Sequence, residues 1–308
     1  MKSERNKTID FTLEQATEYL QKCLDGKTIT HIPDNSTIIG DSLENVKKLA
    51  DSSIDLLIVD PPYNLRKFYH GNSFNKMTMG EYAIYTQKWV DAIYPKLKST
   101  ASIYVCCDWE SSLVIGGVLA SKFIVRNRIT WQREKGRGAK RNWKNSMEDV
   151  FFATISDEYT FNLDAVKQRR RVLAPYKQDG VAKDWEQTSE GKFRNTCPSN
   201  FWDDISVPYW SMPENTAHPT QKPEKLIAKL ILASSNINDL VVDMFAGSGT
   251  TGVVAKKLNR RYVNFEQNKL YCAWGEYRLK LADADKSIQG YKDGVFWERN
   301  SQIKLLKK

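Results

Sequence analysis

The chain has 308 residues, 41% hydrophobic and 11% aromatic, with 46 Lys and Arg against 37 Asp and Glu, a net charge of +9. That length suits one large α/β domain with an inserted module, and the charge suggests a polyanionic partner, since Lys and Arg gain affinity by releasing phosphate counterions; a merely basic soluble protein is the competing reading. Cys23, Cys106, Cys107, Cys197 and Cys272 form neither metal-ligand spacing nor an even disulfide framework, and the polar start and lack of a long apolar run argue against a signal peptide or membrane span, so a reducing, cytoplasmic setting is expected.

Residues 11–24 place Leu13, Ala16, Tyr19, Leu20 and Leu24 at helical spacing behind Thr12 as N-cap. They predict a docked helix, with a contact to DNA or a second copy as the alternative. Residues 37–40 read as a short strand ending at Asp41, an acid able to cap the helical turns that follow. The apolar run 54–59 has strand length and strand composition and stops at Asp60-Pro61-Pro62-Tyr63-Asn64. Two prolines make that tip rigid, so the Asp60 carboxylate, the Pro61 carbonyl and the Tyr63 ring hold fixed positions at a strand mouth. Two acceptors beside a flat aromatic suit a planar group bearing an NH2, such as a nucleobase amine; an ordinary Pro-rich turn is the structural alternative. Residues 65–79, polar and aromatic without periodicity, read as a loop that covers the site and is mobile without DNA.

An amphipathic helix over 81–97 carries Tyr82, Tyr85, Trp89, Ile93 and Leu97 on one side. Strands over 101–107, 123–131 and 147–155, with a helix over 113–119, predict a mostly parallel doubly wound sheet, and the tight return from Trp131 predicts an antiparallel edge pair. In 132–146, Arg133, Lys135, Arg137, Lys140, Arg141 and Lys144 face Glu134 as the only acid, with Gly136, Gly138 and Trp143 interleaved; phosphate contact is favoured over a solvated loop. From 159 to 213 the alternation breaks, with a basic run Arg169-Arg170-Arg171 and three tryptophans, Trp185, Trp202 and Trp210. His218-Pro219-Thr220-Gln221-Lys222-Pro223 opens a helix over 224–233, and His218 reads as a turn residue. Residues 240–245 read as a buried parallel strand, 246–252 as a tight Gly-rich turn and 253–258 as a helix. Glycines there let a ligand touch backbone, and the helix start attracts an anionic group. The next strand, 262–265, delivers Glu266 about 20 residues on, where a Rossmann-type site sets an acid on ribose hydroxyls, so the series indicates a nucleoside cofactor. A helix over 271–281 follows, and 289–308 reads as basic, weakly patterned surface.

With Gly40-Asp41-Ser42 and the 218–223 motif in their places, Asp60-Pro61-Pro62-Tyr63 and Phe245-Ala246-Gly247-Ser248-Gly249 resemble the S-adenosyl-L-methionine-dependent DNA amino-methyltransferases of N6-adenine type. The order is that of the permuted group, in which the catalytic motif precedes the cofactor motif, and the resemblance spans residues 37–281. It implies a doubly wound, mostly parallel, Rossmann-like α/β sheet with an antiparallel edge strand and an inserted DNA-recognition region. The chain then divides into an N-terminal helical extension (1–36), a catalytic half (37–158), a target-recognition region (159–213), a cofactor-binding half (214–282) and a tail (283–308).

The resemblance also implies methyl transfer to an adenine flipped out of double-stranded DNA, in a restriction-modification system or standing alone. Asp60, Pro61, Pro62 and Tyr63 would be catalytic. Asp41, Asp243, Phe245, Gly247, Ser248, Gly249 and Glu266 would hold the cofactor, with Thr220 or Lys222 at its methionine end. Arg133, Lys135, Arg137, Lys140, Arg141, Lys144 and Arg169 to Arg171 would meet DNA. Neither a metal nor a cysteine nucleophile is required. Cytosine-N4 methylation is the alternative within the class, although those enzymes more often carry Ser where Asp60 stands; a catalytically dead DNA-binding regulator is the alternative outside it. A cognate restriction endonuclease and a second copy of the chain are compatible further partners, and a membrane is not. Because the methyl must sit in line with the target nitrogen at roughly 3 Å, the strands ending at Asp60 and Phe245 are predicted to lie side by side.

Overall fold

The computed structural model describes residues 3–69, 72–133, 140–173, 176–189 and 191–298. A nine-stranded sheet runs through it in the order Leu24–Asp25, Ser36–Ile39, Arg261–Glu266, Leu240–Asp243, Ile54–Val59, Leu97–Cys107, Met147–Thr154, Ile124–Gln132 and Phe201–Trp202. All neighbours pair parallel except around Met147–Thr154, which runs against both Leu97–Cys107 and Ile124–Gln132. The antiparallel strand thus sits inside the edge, with Ile124–Gln132 and the two-residue Phe201–Trp202 beyond it.

The period of the strand Ile54–Val59 explains how both faces are covered. Leu57 and Val59 pack with Tyr82, Trp89, Val90 and Ile93 of the helix Met79–Ile93, while Leu56 and Ile58 pack with Leu226 and Leu230 of the helix Glu224–Ser234. Alternate residues point to opposite faces, so a strand buried on both sides must be apolar throughout. Val241 lies opposite Leu56 and Val242 opposite Leu57, as the chemistry required. From this pair the chain builds outward in opposite directions, which makes their carboxyl ends the topological switch point.

Several elements differ from the sequence expectation. The helix expected over 11–24 is only a 3-10 turn, Glu14–Ala16, and one α turn, Thr17–Leu20, because Leu24–Asp25 leaves to pair with Ile38 and Ile39 at the sheet edge. It is docked nonetheless, with Phe11 and Tyr19 packed edge-on against Tyr277. The stretch 65–79 holds a small antiparallel ladder, Lys67–Tyr69 with Asn72–Phe74, and Lys76 pairs with Glu110 at 2.6 Å. A Thr78/Glu81 capping box then starts the helix at Met79, and Pro95 follows its end, so Leu97 opens the next strand instead of closing the helix.

The largest correction concerns residues 283–308. Tyr291–Lys292 and Val295–Trp297 are strands, and they complete a second sheet ordered Glu186–Thr188, Gly191–Thr196, Gln168–Arg171, Val295–Trp297, Tyr291–Lys292. Phe296 and Trp297 are buried in it. Residues 299–308 lie outside the described residues. The hairpin turn is Asp293-Gly294, both at positive φ, a two-residue connection whose twist matches that of the strands.

Two lysines of the helix Glu224–Ser234 fasten this sheet to the core. Lys225 reaches Asp204 at 2.6 Å and donates to the Trp297 carbonyl at 2.7 Å; Lys229 reaches Asp204 at 3.0 Å. Burial pushes Lys229 down to about 8 against the pull of Asp204. Burial also works against the Asp204 charge, but Lys229 and Lys225 outweigh it and hold the carboxyl below its usual range. Asp204→Ala would strand two buried ammonium groups and should cost about 3–5 kcal/mol of stability, read by urea denaturation.

Candidate active site

The tip after Val59 is fixed by more than its prolines. The Asn64 N–H donates to Ser111 Oγ at 3.0 Å, the Asn64 side chain exchanges two hydrogen bonds with the Met77 backbone, and the Tyr82 hydroxyl donates to the Pro62 carbonyl at 3.0 Å. Beside it opens a cavity of about 320 Å³, walled by Asp60 to Tyr63, Phe74, Tyr85, His218, Thr220, Phe245, Gly247, Glu266 and Tyr271. Such a volume suits a small organic ligand.

At the cavity mouth lies a cluster of charges. Asp60 Oδ2 accepts from Lys222 Nζ at 2.5 Å, whereas Asp60 Oδ1 is buried and has no hydrogen-bond partner. Lys222 also donates to the Tyr63 hydroxyl at 3.1 Å and lies 3.3 Å from Glu148 Oε2. The Tyr63 hydroxyl in turn donates to Glu148 Oε2 at 3.0 Å, and Arg133 pairs with Glu148 Oε1. Burial opposes the Lys222 charge, but Asp60 and Glu148 prevail and raise its pKa above the usual lysine value. Burial likewise opposes the Glu148 charge, and Lys222 and Arg133 prevail, holding the carboxyl below its usual range. Burial, with Asp60 and Glu148 adding to it, raises Tyr63 and keeps its hydroxyl protonated.

Across the cavity, Asp243 shapes the Gly-rich turn. Its Oδ1 accepts from the Phe245 N–H at 2.9 Å and its Oδ2 from the Thr251 hydroxyl at 2.6 Å. Gly247 has φ +53°, and a Cβ there would stand 2.9 Å from His218 Nε2. Its N–H donates to Glu266 Oε2 at 2.9 Å, and the Asn268 N–H donates to Glu266 Oε1 at 2.7 Å, so the acid at the strand end is aimed by backbone. Burial pushes both Asp243 and Glu266 up to about 7, against the hydrogen bonds they accept.

The expected residues therefore separate. Asp60 to Tyr63, Thr220, Phe245, Gly247 and Glu266 line one cavity; Asp243, Ser248 and Lys222 line a small void of about 30 Å³ adjoining it. Gly249, at φ +75°, lies against Gly275, where a Cβ would meet Cα at 3.0 Å, so its part is helix packing. Asp41 is exposed and caps a helix by accepting from the Leu43 N–H at 2.7 Å, while its neighbours Gly40 and Ser42 line the cavity. Lys222 is directed at Asp60 instead of the cofactor turn, because its ammonium finds two carboxylates there. His218 packs edge-on against Tyr271 and accepts the Thr220 N–H on Nδ1 at 3.3 Å, a turn residue as read.

Of the basic residues, Lys140, Arg141 and Lys144 are exposed, as is Trp143 at 93%. Lys135 and Arg137 lie outside the described residues. Arg133 is turned inward onto Glu148. Arg169 pairs with Glu186 and lies over the edge-on pair of Phe193 and Trp297 rings, at 5.1 and 5.4 Å; Arg170 reaches Glu298 at 3.5 Å, and Arg171 lies 5.8 Å from the Phe193 ring. Arg169 thus packs within the second sheet, while Arg170 is half-buried and Arg171 is exposed. Sequence reasoning missed Glu148, which no local motif marks, and the aromatic wall of Phe74, Tyr85 and Tyr271. Cys106 and Cys107 are buried in a strand, and burial raises both thiols. Among the described residues no group of three or more His, Cys, Asp or Glu could hold a metal, and no helix is long and apolar enough to cross a membrane.

Residues 54–276 match the family model of the DNA methylases. The chain is 33% identical over 249 residues to the Type II methyltransferase M.HpaI of Haemophilus parainfluenzae, covering 80% of this chain and 74% of that protein. It is also 33% identical over 262 residues to the DNA adenine methyltransferase YhdJ of Escherichia coli (strain K12), covering 84% of each. Among solved structures it resembles the PVUII DNA methyltransferase (cytosine-N4-specific), with a TM-score of 0.62 at 21% identity over 80% of this chain and 87% of that one. It also resembles the M1.HpyAVI-SAM complex, with a TM-score of 0.51 at 20% identity over 79% and 98%. At those identities the structural likeness speaks for the fold.

The raised Asp243 has a sign that can be measured. Its folded-state value of about 7 lies above the ordinary 3.8, so its contribution to stability is present at low pH and is lost as pH rises through about 7. Asp243→Asn keeps the hydrogen-bonding shape without the titration. Relative to the parent protein it should gain about 2 kcal/mol between pH 5 and pH 8 in urea denaturation, with Glu266 common to both proteins.

Proposed function

The chain belongs to the DNA methylase family, and from that premise we propose that it transfers a methyl group from S-adenosyl-L-methionine to the exocyclic N6 amine of an adenine in double-stranded DNA, at one short sequence. The observation that carries this reading is Asp60 Oδ1, a buried acceptor without a partner, on a residue that lines the same cavity as Gly247 and Glu266. An unmet buried acceptor is costly, and a ligand N–H would meet it.

The residues present fit the cofactor. Glu266 has lone pairs left to accept from ribose hydroxyls, Gly247 leaves room that a side chain would fill, and Phe245 and Tyr271 supply apolar wall. When bound, S-adenosyl-L-methionine supplies an electrophilic methyl on a sulfonium. The chain's own residues prepare the other reactant. Asp60 Oδ1 and the Pro61 carbonyl accept the two N–H bonds of the amine and draw its nitrogen from planar toward tetrahedral. The Asp60 carboxylate offsets the positive charge that develops there, and it is fixed before the reaction begins. Asp60 then stands ready to accept the proton that the methylated amine sheds. Within a duplex the base must leave the stack, and the Tyr63 ring, held through its hydroxyl by Glu148 and Lys222, offers a replacement surface. No covalent intermediate is required of the buried thiols.

Lys140, Arg141 and Lys144 lie on a loop whose neck is closed by the Arg133 N–H to the Ser146 carbonyl, 2.7 Å, next to the Glu148 cluster. That placement supports phosphate contact beside the target base. The YhdJ relative and Asp60 favour adenine, and the cytosine-N4 neighbour shares only the fold. The Type II names of M.HpaI and its like make a cognate endonuclease the partner we infer.

Purified protein, labelled S-adenosyl-L-methionine and unmethylated genomic DNA test the reading by nucleoside analysis and mapping of modified positions. N6-methyladenine confined to one short sequence is expected; N4-methylcytosine would move the target, and no label from a cofactor-binding preparation would overturn the function. Asp60→Ala should abolish transfer with the cofactor Kd within a few-fold. Gly247→Ala should raise that Kd about tenfold or more by calorimetry, since the new methyl meets His218 and is strained at positive φ.

A further inference from the structure

We propose that Glu148 is a positioning residue for the transfer, which acts by holding the Lys222 ammonium away from Asp60 Oδ1 so that the lone pairs of this oxygen are left without a partner inside the protein, for the target amine to take. The inference rests on the function proposed above and assigns that site a residue outside its sequence motifs.

An ammonium has three N–H bonds. Around Lys222 Nζ stand three acceptors, Asp60 Oδ2 at 2.5 Å, the Tyr63 hydroxyl at 3.1 Å and Glu148 Oε2 at 3.3 Å. With those three served, no donor remains for Asp60 Oδ1, and that atom has no hydrogen-bond partner. Take the Glu148 charge away and the ammonium, 8% exposed and poorly reached by water, retains one carboxylate. Coulomb attraction would then draw it across both Asp60 oxygens, and the acceptor meant for the amine would be filled from within the protein.

Glu148 is built for this part. Its side chain is 5% exposed, and its second oxygen is committed to Arg133, so the carboxylate is clamped between two cations and cannot swing away. It reaches the cluster from the antiparallel strand, where it is paired with Trp131. The next residue, Asp149, accepts from the Thr130 hydroxyl at 2.7 Å and projects to the other side of the pleat. The Tyr63 hydroxyl donates to the Glu148 oxygen that faces Lys222, so the same carboxylate also sets the ring that receives the base.

The test begins with wild-type protein on unmethylated DNA, where N6-methyladenine establishes the reaction. Glu148→Gln keeps the shape and an oxygen for the Tyr63 hydroxyl but removes the charge. It should lower kcat about 10- to 100-fold, the usual effect of removing a partner that orients a reacting group, with the Kd for S-adenosyl-L-methionine and the KM for DNA unchanged. Adding Lys222→Met to Glu148→Gln removes the intruding ammonium, so the double variant should turn over faster than Glu148→Gln alone, an acceleration that loss of mere structural support would not give. Wild-type kcat in Glu148→Gln, or a double variant no faster than the single, overturns the proposal. If Glu148→Gln does not fold, the double variant decides: activity within about tenfold of wild type supports the proposal, and a loss as complete as that of Asp60→Ala overturns it. A wild-type protein that binds the cofactor and methylates neither base overturns the functional reading itself, whatever the variants do.

Discussion

Val241 opposite Leu56 and Val242 opposite Leu57 make a short parallel pairing, and it joins two segments far apart in the chain. Everything that the site needs follows from it. The Asp60 tip leaves one strand and the Gly247 turn leaves the other at the same edge of the sheet, so their separation is set by the spacing of adjacent strands, about 4.8 Å, before any side chain is chosen. Asp55 reinforces the pair from the opposite end by accepting the Leu240 N–H at 2.9 Å. A reactive geometry defined by backbone hydrogen bonds in a doubly buried sheet is stiff, which a reaction that depends on in-line approach requires.

The second organising element is the segment from Lys222 to Lys229. Three ammonium groups, at positions 222, 225 and 229, point from it into the protein, and each is buried. Lys222 serves Asp60 and Glu148, and Lys225 and Lys229 serve Asp204, with Lys225 also holding the chain at Trp297. Buried cations cost much desolvation and are tolerated only where acceptors are well placed. Here the acceptors come from different parts of the chain, so one stretch fixes the catalytic tip and the second sheet relative to each other.

Much of the sheet could be read from the sequence because doubly buried parallel strands are continuous apolar runs: Ile54 to Val59 and Leu240 to Asp243 need no context to be seen. The motifs at Asp60 and Gly247 were legible for a related reason, since proline and glycine state their backbone conformations outright. What escaped was decided by distance. Glu148 sits in a strand with no local signal and becomes part of the site through Tyr63, Lys222 and Arg133. Lys222 lies in a motif that resemblance attached to the cofactor, yet its nearest carboxylates lie on the other side. Within the basic run Arg169 to Arg171, only the packing of Arg169 on Phe193 and Trp297 could not be read locally, because those rings come from distant strands. The hairpin at Asp293-Gly294 did carry a sequence sign, and it was lost within a polar stretch.

That hairpin changes how the second sheet should be thought of as a heritable unit. Three of its strands come from residues 168–196 and two from 291–297, with residues 197–290 between them. A recombination event that exchanged only the internal stretch between relatives would deliver strands whose partners stayed behind, with the Phe193 and Trp297 rings that pack against each other under Arg169 drawn from different parents. Change in this sheet would therefore spread by paired exchange of both segments, or by point changes on their surface, and not by trading one cassette.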